Sequence, residues 1–235
     1  GRVVRPPSYD AKLTAFDADA IRKLPGVVAV LRDGNYIGVV AEREEQAVKA
    51  RAAALKIAQW QGVPIATDEA GLHEYLRTRP GNKAAVMAER SDDAAKARAK
   101  TNLSARYTKP YIAHASIGPS CALARFNGKR IEVWSHSQGV YQLRYDLATV
   151  LEMPLEDIIV HHAEGSGCYG HNGADDVALD AVLLSRAAGG RPVQVQWMRD
   201  EEFAWEPYSP AMTTDVKAAL DDKGNIVDWS VEVWS

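Results

Sequence analysis

Apolar positions change period several times along the chain, and each change marks an element. Residues 27–31 and 36–40 are apolar runs separated by Asp33-Gly34-Asn35, which supplies turn chemistry, so together they predict a β-hairpin. From 42 to 61 the spacing becomes helical, with Ala47, Ala50, Ala54, Leu55, Ala58 and Trp60 among Glu, Lys and Arg; Gly62 is the expected C-cap and Pro64 the stop. A second short helix is expected over 68–77, with Thr67 as N-cap and Glu69 and Glu74 toward the positive end of its dipole. Residues 1–80 therefore read as one small α+β unit.

Between 81 and 108 the chain turns to Lys, Arg, Ala, Asp and Asn, apart from Ala84–Met87, and reads as a linker with helical character near 94–100. Residues 109–235 form the second expected domain. Short strands are expected at 111–117, 122–126 and 130–134. A helix follows over 139–152, where Val140, Leu143, Leu147 and Leu151 recur at helical spacing until Pro154. A buried strand at 158–160 leads into Gly165-Ser166-Gly167-Cys168-Tyr169-Gly170-His171-Asn172-Gly173. Next come a helix over 174–186, Gly189-Gly190, a strand at 193–197 and two long strands at 212–220 and 226–234. In the last of these Val227, Trp229, Val231 and Val233 share one face. With no exit turn at this end and no initiator Met at the other, the chain reads as an excised segment whose remainder carries further residues. The mixed alternation predicts an α+β fold.

Composition narrows the function. With 46% hydrophobic and 25% charged residues the chain is an ordinary globular protein, which excludes disordered and fibrous classes. No apolar run reaches the roughly 20 residues of a membrane span, so none is expected. The net charge of −3 is not gathered into blocks, and a nucleic-acid partner is not expected. Cys121 and Cys168 are too few for a disulfide framework or a four-cysteine cluster site, so any iron–sulfur chemistry belongs to another chain.

The glycine stretch spells G-x-G-x-x-G between a predicted strand and helix, the spacing of a dinucleotide site. Against that reading, the acidic residue expected about 20 positions later is absent, and Asp175 and Asp176 stand where a pyrophosphate would meet the helix N-terminus. A glycine turn needed for close packing, and a loop whose amides approach a bulky cofactor, remain as alternatives. His161, His162, Cys168 and His171 invite a zinc reading, but their spacing lacks two close ligand pairs, and neighbouring strand residues point to opposite faces. Metal ligation by these side chains is therefore not expected. In Ser135-His136-Ser137-Gln138-Gly139, Ser135 or Ser137 offers an N-cap, and no G-x-S-x-G elbow is present to expose a nucleophilic serine. Trp197, Phe203, Trp205 and Tyr208 read as core and rim packing.

The order of these segments resembles the molybdopterin-binding large subunit of the xanthine dehydrogenase/aldehyde oxidase family, in the branch of isoquinoline 1-oxidoreductase and nicotinate dehydrogenase. Residues 1–80 look like its α/β-hammerhead domain, and Tyr111–Pro119 like the beginning of its cofactor-binding domain, of which 109–235 would be the first part. Trp134-Ser135-His136-Ser137-Gln138-Gly139 is similar to the segment whose glutamine hydrogen-bonds a molybdenum oxygen ligand. Gly167-Cys168-Tyr169-Gly170 is similar to a G-G-F-G loop beside the metal, and Arg199-Asp200-Glu201-Glu202 resembles a later motif. Cys168 and Tyr169 replace glycine and phenylalanine there, and Ile117-Gly118 replaces Met-Glu. The resemblance implies oxidative hydroxylation of an aldehyde or N-heteroaromatic small molecule with water-derived oxygen. It implies molybdenum-molybdopterin in the cytosine dinucleotide form, contacted by Gln138, Gly167, Cys168, Tyr169 and Gly170. The partners implied are the remainder of the large subunit, which carries the general-base glutamate, and an electron-transfer subunit with iron–sulfur clusters. On that reading the 235-residue chain alone is inactive. The rival expectation is a non-catalytic scaffold module that binds protein partners.

Overall fold

The computed structural model describes residues 1–62, 69–79, 81, 90, 92–170 and 177–235. The expected helix start at Thr67–Asp68, the apolar run Ala84–Met87, and His171, Asp175 and Asp176 lie outside them. The chain opens with β1 (Arg2–Val4), β2 (Lys12–Ala15), α1 (Ala18–Arg22), the hairpin β3 (Val27–Asp33) and β4 (Tyr36–Ala41), α2 (Glu44–Ile57) and β5 (Gln59–Gln61). The hairpin lies where the turn chemistry put it, and β1 adds to its other side in the antiparallel order β1-β4-β3. Strand alternation divides these residues: Val4, Ile37 and Val39 pack with Ala50 and Ala54 of α2, while Val3 and Val40 join a different core. The helix stops before Gly62. Ala58 is already extended, and Gln59–Gln61 pair antiparallel with β2, giving Trp60 the cross-strand partner Leu13.

After α3 (Leu72–Thr78), α4 (Asp93–Lys96) and β6 (Thr101–Lys109) come β7 (Cys121–Phe126), β8 (Ile131–Ser135), α5 (Val140–Val150), a 3-10 turn (Leu155–Asp157), β9 (Ile158–His162), α6 (Val177–Ala187), β10 (Val193–Gln196) and α7 (Arg199–Trp205). The sheet order is β10-β7-β8-β9, with β8 and β9 parallel across the α5 crossover. β9 lies at the edge of this sheet, so Ile159 is exposed rather than buried as expected. Helix α6 is the packing centre. A helix apolar on all sides must be covered on all sides, and Val177, Ala178, Ala181, Val182 and Leu184 are buried against β3 and β4 as well as β7, β8 and β10. Gly38 of β4 permits this approach, because a Cβ there would lie 2.5 Å from Leu184 Cδ2. The buried Asp180 of α6 accepts hydrogen bonds from Arg5 at 2.6 Å and from Trp197 Nε1 at 2.8 Å.

The chain closes with β11 (Met212–Leu220) and β12 (Ile226–Trp234). Contacts divide it into two compact units, Gly1–Pro64 with Ala113–Pro207, and Ile65–Ile112 with Tyr208–Ser235. This grouping differs from the expected 1–80, 81–108 and 109–235, because α6 draws Val3 and Val40 into the core of the later sheet. In the second unit β6 pairs with β11 over all nine of its residues, from Thr101↔Leu220 to Lys109↔Met212, so much of the expected linker is a strand. Helix α3 lies over the polar face of β11, where Thr213 Oγ1 and His73 Nδ1 are 3.3 Å apart and Arg77 stacks on Trp234. The strand expected at 111–117 is reduced to one bridge, Ile112 to Ser209. Ala115, at a φ of 51°, breaks the extended backbone that a strand needs. Among the described residues no helix is long and apolar enough to cross a membrane.

Candidate functional site

The turn from β8 into α5 is held by serines acting on the backbone. Ser135 Oγ accepts from the N–H of Ser137 and Ser137 Oγ from that of Gly139, each at 3.2 Å, and both serines are buried. Gly139, not a serine, is the N-cap of α5. From the end of β9, the N–H of Ala163 donates to Ser135 O at 2.8 Å, and His162 Nδ1 lies 3.1 Å from Ser137 O. A carbonyl can only accept, so Nδ1 carries the proton in that contact. These bonds leave one side chain of the turn, Gln138, exposed to solvent.

The glycine loop meets that side chain. Cys168 Sγ donates to Gln138 Oε1 at 3.2 Å and accepts the Gly170 N–H at 3.3 Å. Tyr169 sits at a φ of 53° and is 61% exposed, a left-handed conformation that costs a non-glycine residue on the order of 1–2 kcal/mol. Its glycine neighbours allow close packing. A Cβ on Gly165 would lie 2.6 Å from that of His136, and one on Gly170, at a φ of 126°, would lie 2.7 Å from His114 Nε2. Burial, the larger influence, holds the His136 imidazole below its ordinary 6.5, against the opposing field of Glu202.

Residues outside the two motifs brace the loop. Ser166 Oγ donates to Gly118 O at 2.8 Å, which ties the loop to the segment before β7. That segment hangs on α7 and the residue after it. Glu202 accepts the Ser120 N–H at 2.9 Å, Glu206 accepts that of His114 at 2.6 Å, and Arg199 donates to Ser116 O and Ile117 O at 2.8 and 2.7 Å. Glu202 is 0% and Glu206 2% exposed, so their hydrogen bonds are made away from water. Glu201 turns to Arg51 Nε, 3.0 Å away, and burial raises its pKa above the ordinary 4.5. Sequence reasoning noticed Arg199–Glu202 only as a motif. The signal for their bracing role is the run of acids in a short helix, with Glu202 and Glu206 at i and i+4.

The other expectations fall out individually. His161 stacks on Trp134 with centroids 5.0 Å apart and meets Glu132 at 3.0 Å, while His162 turns to Ser137, so the two histidines separate as strand alternation requires. Among the described residues no group of three His, Cys, Asp or Glu is placed to hold a metal. Trp197 is a core residue, whereas Phe203 is exposed.

Residues 75–235 match the family model of the molybdopterin cofactor-binding domain. The chain belongs to that family. Its molybdopterin-domain relatives include one of the subunits of the nicotinate dehydrogenase of Pseudomonas putida, 41% identical over 99% of this chain and 20% of the relative. The molybdenum-binding subunit of an Escherichia coli aldehyde oxidoreductase is 27% identical over 100% of this chain and 35% of its own length. The chain thus spans 20% to 35% of these relatives. Among solved structures, Desulfovibrio desulfuricans aldehyde oxidoreductase superposes with a TM-score of 0.76 at 16% identity, over 97% of this chain and 31% of that one. Pseudomonas putida quinoline 2-oxidoreductase gives 0.75 at 19%, over 99% and 35%. The α+β fold expected from the sequence is the fold these structures share. The molybdopterin group also suits the residues present. It brings its own sulfur ligands, so its protein need offer only hydrogen-bond donors and a backbone free of side chains. Gln138 and the Gly167–Gly170 loop have that chemistry.

Proposed function

We propose that this chain forms one wall of the cofactor cleft of a molybdenum hydroxylase, with Gln138, Gly167, Cys168, Tyr169 and Gly170 facing the cofactor. The reading rests on one observation: Gln138 and the glycine loop, 30 residues apart, meet through the Cys168 to Gln138 contact. The bound cofactor, in the cytosine dinucleotide form, supplies oxidative hydroxylation of an aldehyde or N-heteroaromatic carbon with oxygen from water. The chain's own part is orientation. With Oε1 engaged by the thiol of Cys168, the Gln138 amide presents its Nε2 hydrogens outward, as donors to an oxygen ligand of the metal. The backbone of Tyr169 and Gly170 closes one side and limits access of substrate and water. The general base belongs to the rest of the subunit, and an iron–sulfur subunit takes the electrons. Residues 1–80 serve as the hammerhead-like domain, and on its own the 235-residue chain turns over no substrate.

Gln138→Leu tests the assignment in the complete enzyme, since it keeps bulk and removes the donor. A lost buried hydrogen bond costs about 1–3 kcal/mol, and each ~1.4 kcal/mol on the transition state is tenfold in rate. Turnover is expected to fall by roughly 10- to 100-fold while molybdenum content and melting temperature hold. Wild-type turnover of the metal-loaded variant removes Gln138 from the site and favours the scaffold reading.

A further inference from the structure

The sheet β6-β11-β12 is covered on the wrong side. Its strands pair in register, Tyr107 and Val233 flanking Thr214, Ala105 and Val231 flanking Val216, and Leu103 and Trp229 flanking Ala218. Residues directly opposite share a face, so one face carries Leu103, Tyr107, Val216, Trp229, Val231 and Val233. The other carries Arg106, Asp215, Lys217, Asp228 and Glu232. In an ordinary two-layer fold the helix covers the apolar face. Here α3 lies over the polar one, where Arg77 reaches Asp215 at 3.9 Å and Arg106 binds the same carboxylate. The apolar face is left open, with Tyr107 63% and Trp229 57% exposed.

Both edges of the sheet are open as well. β11 is the middle strand, and among the described residues β6 and β12 each have it as their one partner. Two open nine-residue edges beside an apolar face invite aggregation unless something covers them.

We infer that this face and the β12 edge are a docking surface for the polypeptide that the longer members of this family carry outside the matched region, and that an apolar segment of it lies on Tyr107, Trp229, Val231 and Val233. The relatives supply the occupant. This chain aligns over 99% and 100% of its length yet accounts for only 20% and 35% of theirs, so most of each relative is chain of another part of the same subunit. The polar face, already engaged by α3, leaves the apolar face as the larger unsatisfied surface. The inference rests on the sheet and on family membership, and stands whether or not Gln138 faces the cofactor.

The test is site-directed photo-crosslinking in the assembled oxidoreductase. Val231→Cys is labelled with a benzophenone maleimide in the 235-residue chain, while in the assembled enzyme the introduced thiol is expected to react at least about tenfold more slowly, as burial predicts. When the label is attached before assembly, illumination should join it to peptides of the same subunit outside residues 1–235. Val233→Cys, on the same face, is the second variant should Val231→Cys fail to fold. Equal thiol reactivity in the short chain and the assembled enzyme overturns the inference. So does a short chain that sediments as a dimer with crosslinks between two copies of residues 226–234, which assigns the face to self-association. Turnover plays no part in either readout, so a failed Gln138 assignment leaves this result unaffected.

Discussion

His136 stands between two demands. Its ring packs against Gly165, where a side chain would collide, so it fixes how near the loop comes to the β8–α5 turn. That packing removes water from the ring and lowers its pKa below 6.5. A base whose folded pKa is depressed adds stability that is fully present above its unfolded value and is lost as pH falls through the folded one. Acidification from about pH 7.5 to 5.5 is therefore expected to destabilise the first unit. His136→Phe keeps a ring and removes the proton, so its stability should change less over that range. Urea titrations of both proteins at several pH values measure the difference; parallel curves would assign the acid sensitivity to other groups. Gln138 is simpler: its pairing with Cys168 was legible as two short motifs and their order, because each motif is local. Their contact was not, since it depends on how two turns at the same end of a sheet converge.

At the scale of elements, α7 contributes more by its acids than by its length. A helix of seven residues has little stability of its own. Its place comes from Glu202 and, just beyond the helix, Glu206, whose partners Ser120 and His114 lie 82 and 92 residues away in sequence. Glu202→Ala leaves the Ser120 N–H without its acceptor in a dry site, and should cost about 1–3 kcal/mol. The exposed Glu156→Ala should stay within about ±0.5 kcal/mol. Denaturant midpoints compare the two, and equal values would show that α7 does not carry the segment. The strand elements show the opposite balance. β11 and β12 were readable from alternation alone, whereas β6, rich in polar residues and exposed over eight of its nine positions, is a strand only because β11 offers it a continuous register.

For the whole molecule the decisive element is α6. Because it is shared, the first and later sheets of the first unit should lose structure together, not as separate domains at 1–80 and 109–235. Leu184→Ala opens a cavity between them and should cost about 2–5 kcal/mol. Hydrogen exchange should then accelerate in β4 and β7 alike. Faster exchange confined to β7 would restore the expected division. Buried polar groups point the same way: Asp180 of α6 joins Arg5 near the N-terminus to Trp197, and Arg51 of α2 joins Val3 O to Glu201.

By itself the sequence determined what depends on neighbours within a few residues. The hairpin at Asp33-Gly34-Asn35, the strand and helix periods, the glycine loop, the serines around Gln138 and the order of the motifs are all local, and they sufficed for the α+β class and the family. Tertiary structure decided what depends on residues distant along the chain. It joined Val3 and Val40 to the later sheet through α6, turned the expected linker into β6, and set the acids of 199–206 beneath 114–120. It also left the apolar face of β12 uncovered. Hydrophobic burial is non-directional, so a pattern of apolar residues shows that a face will be buried, but the partner that buries it is fixed only when the elements pack.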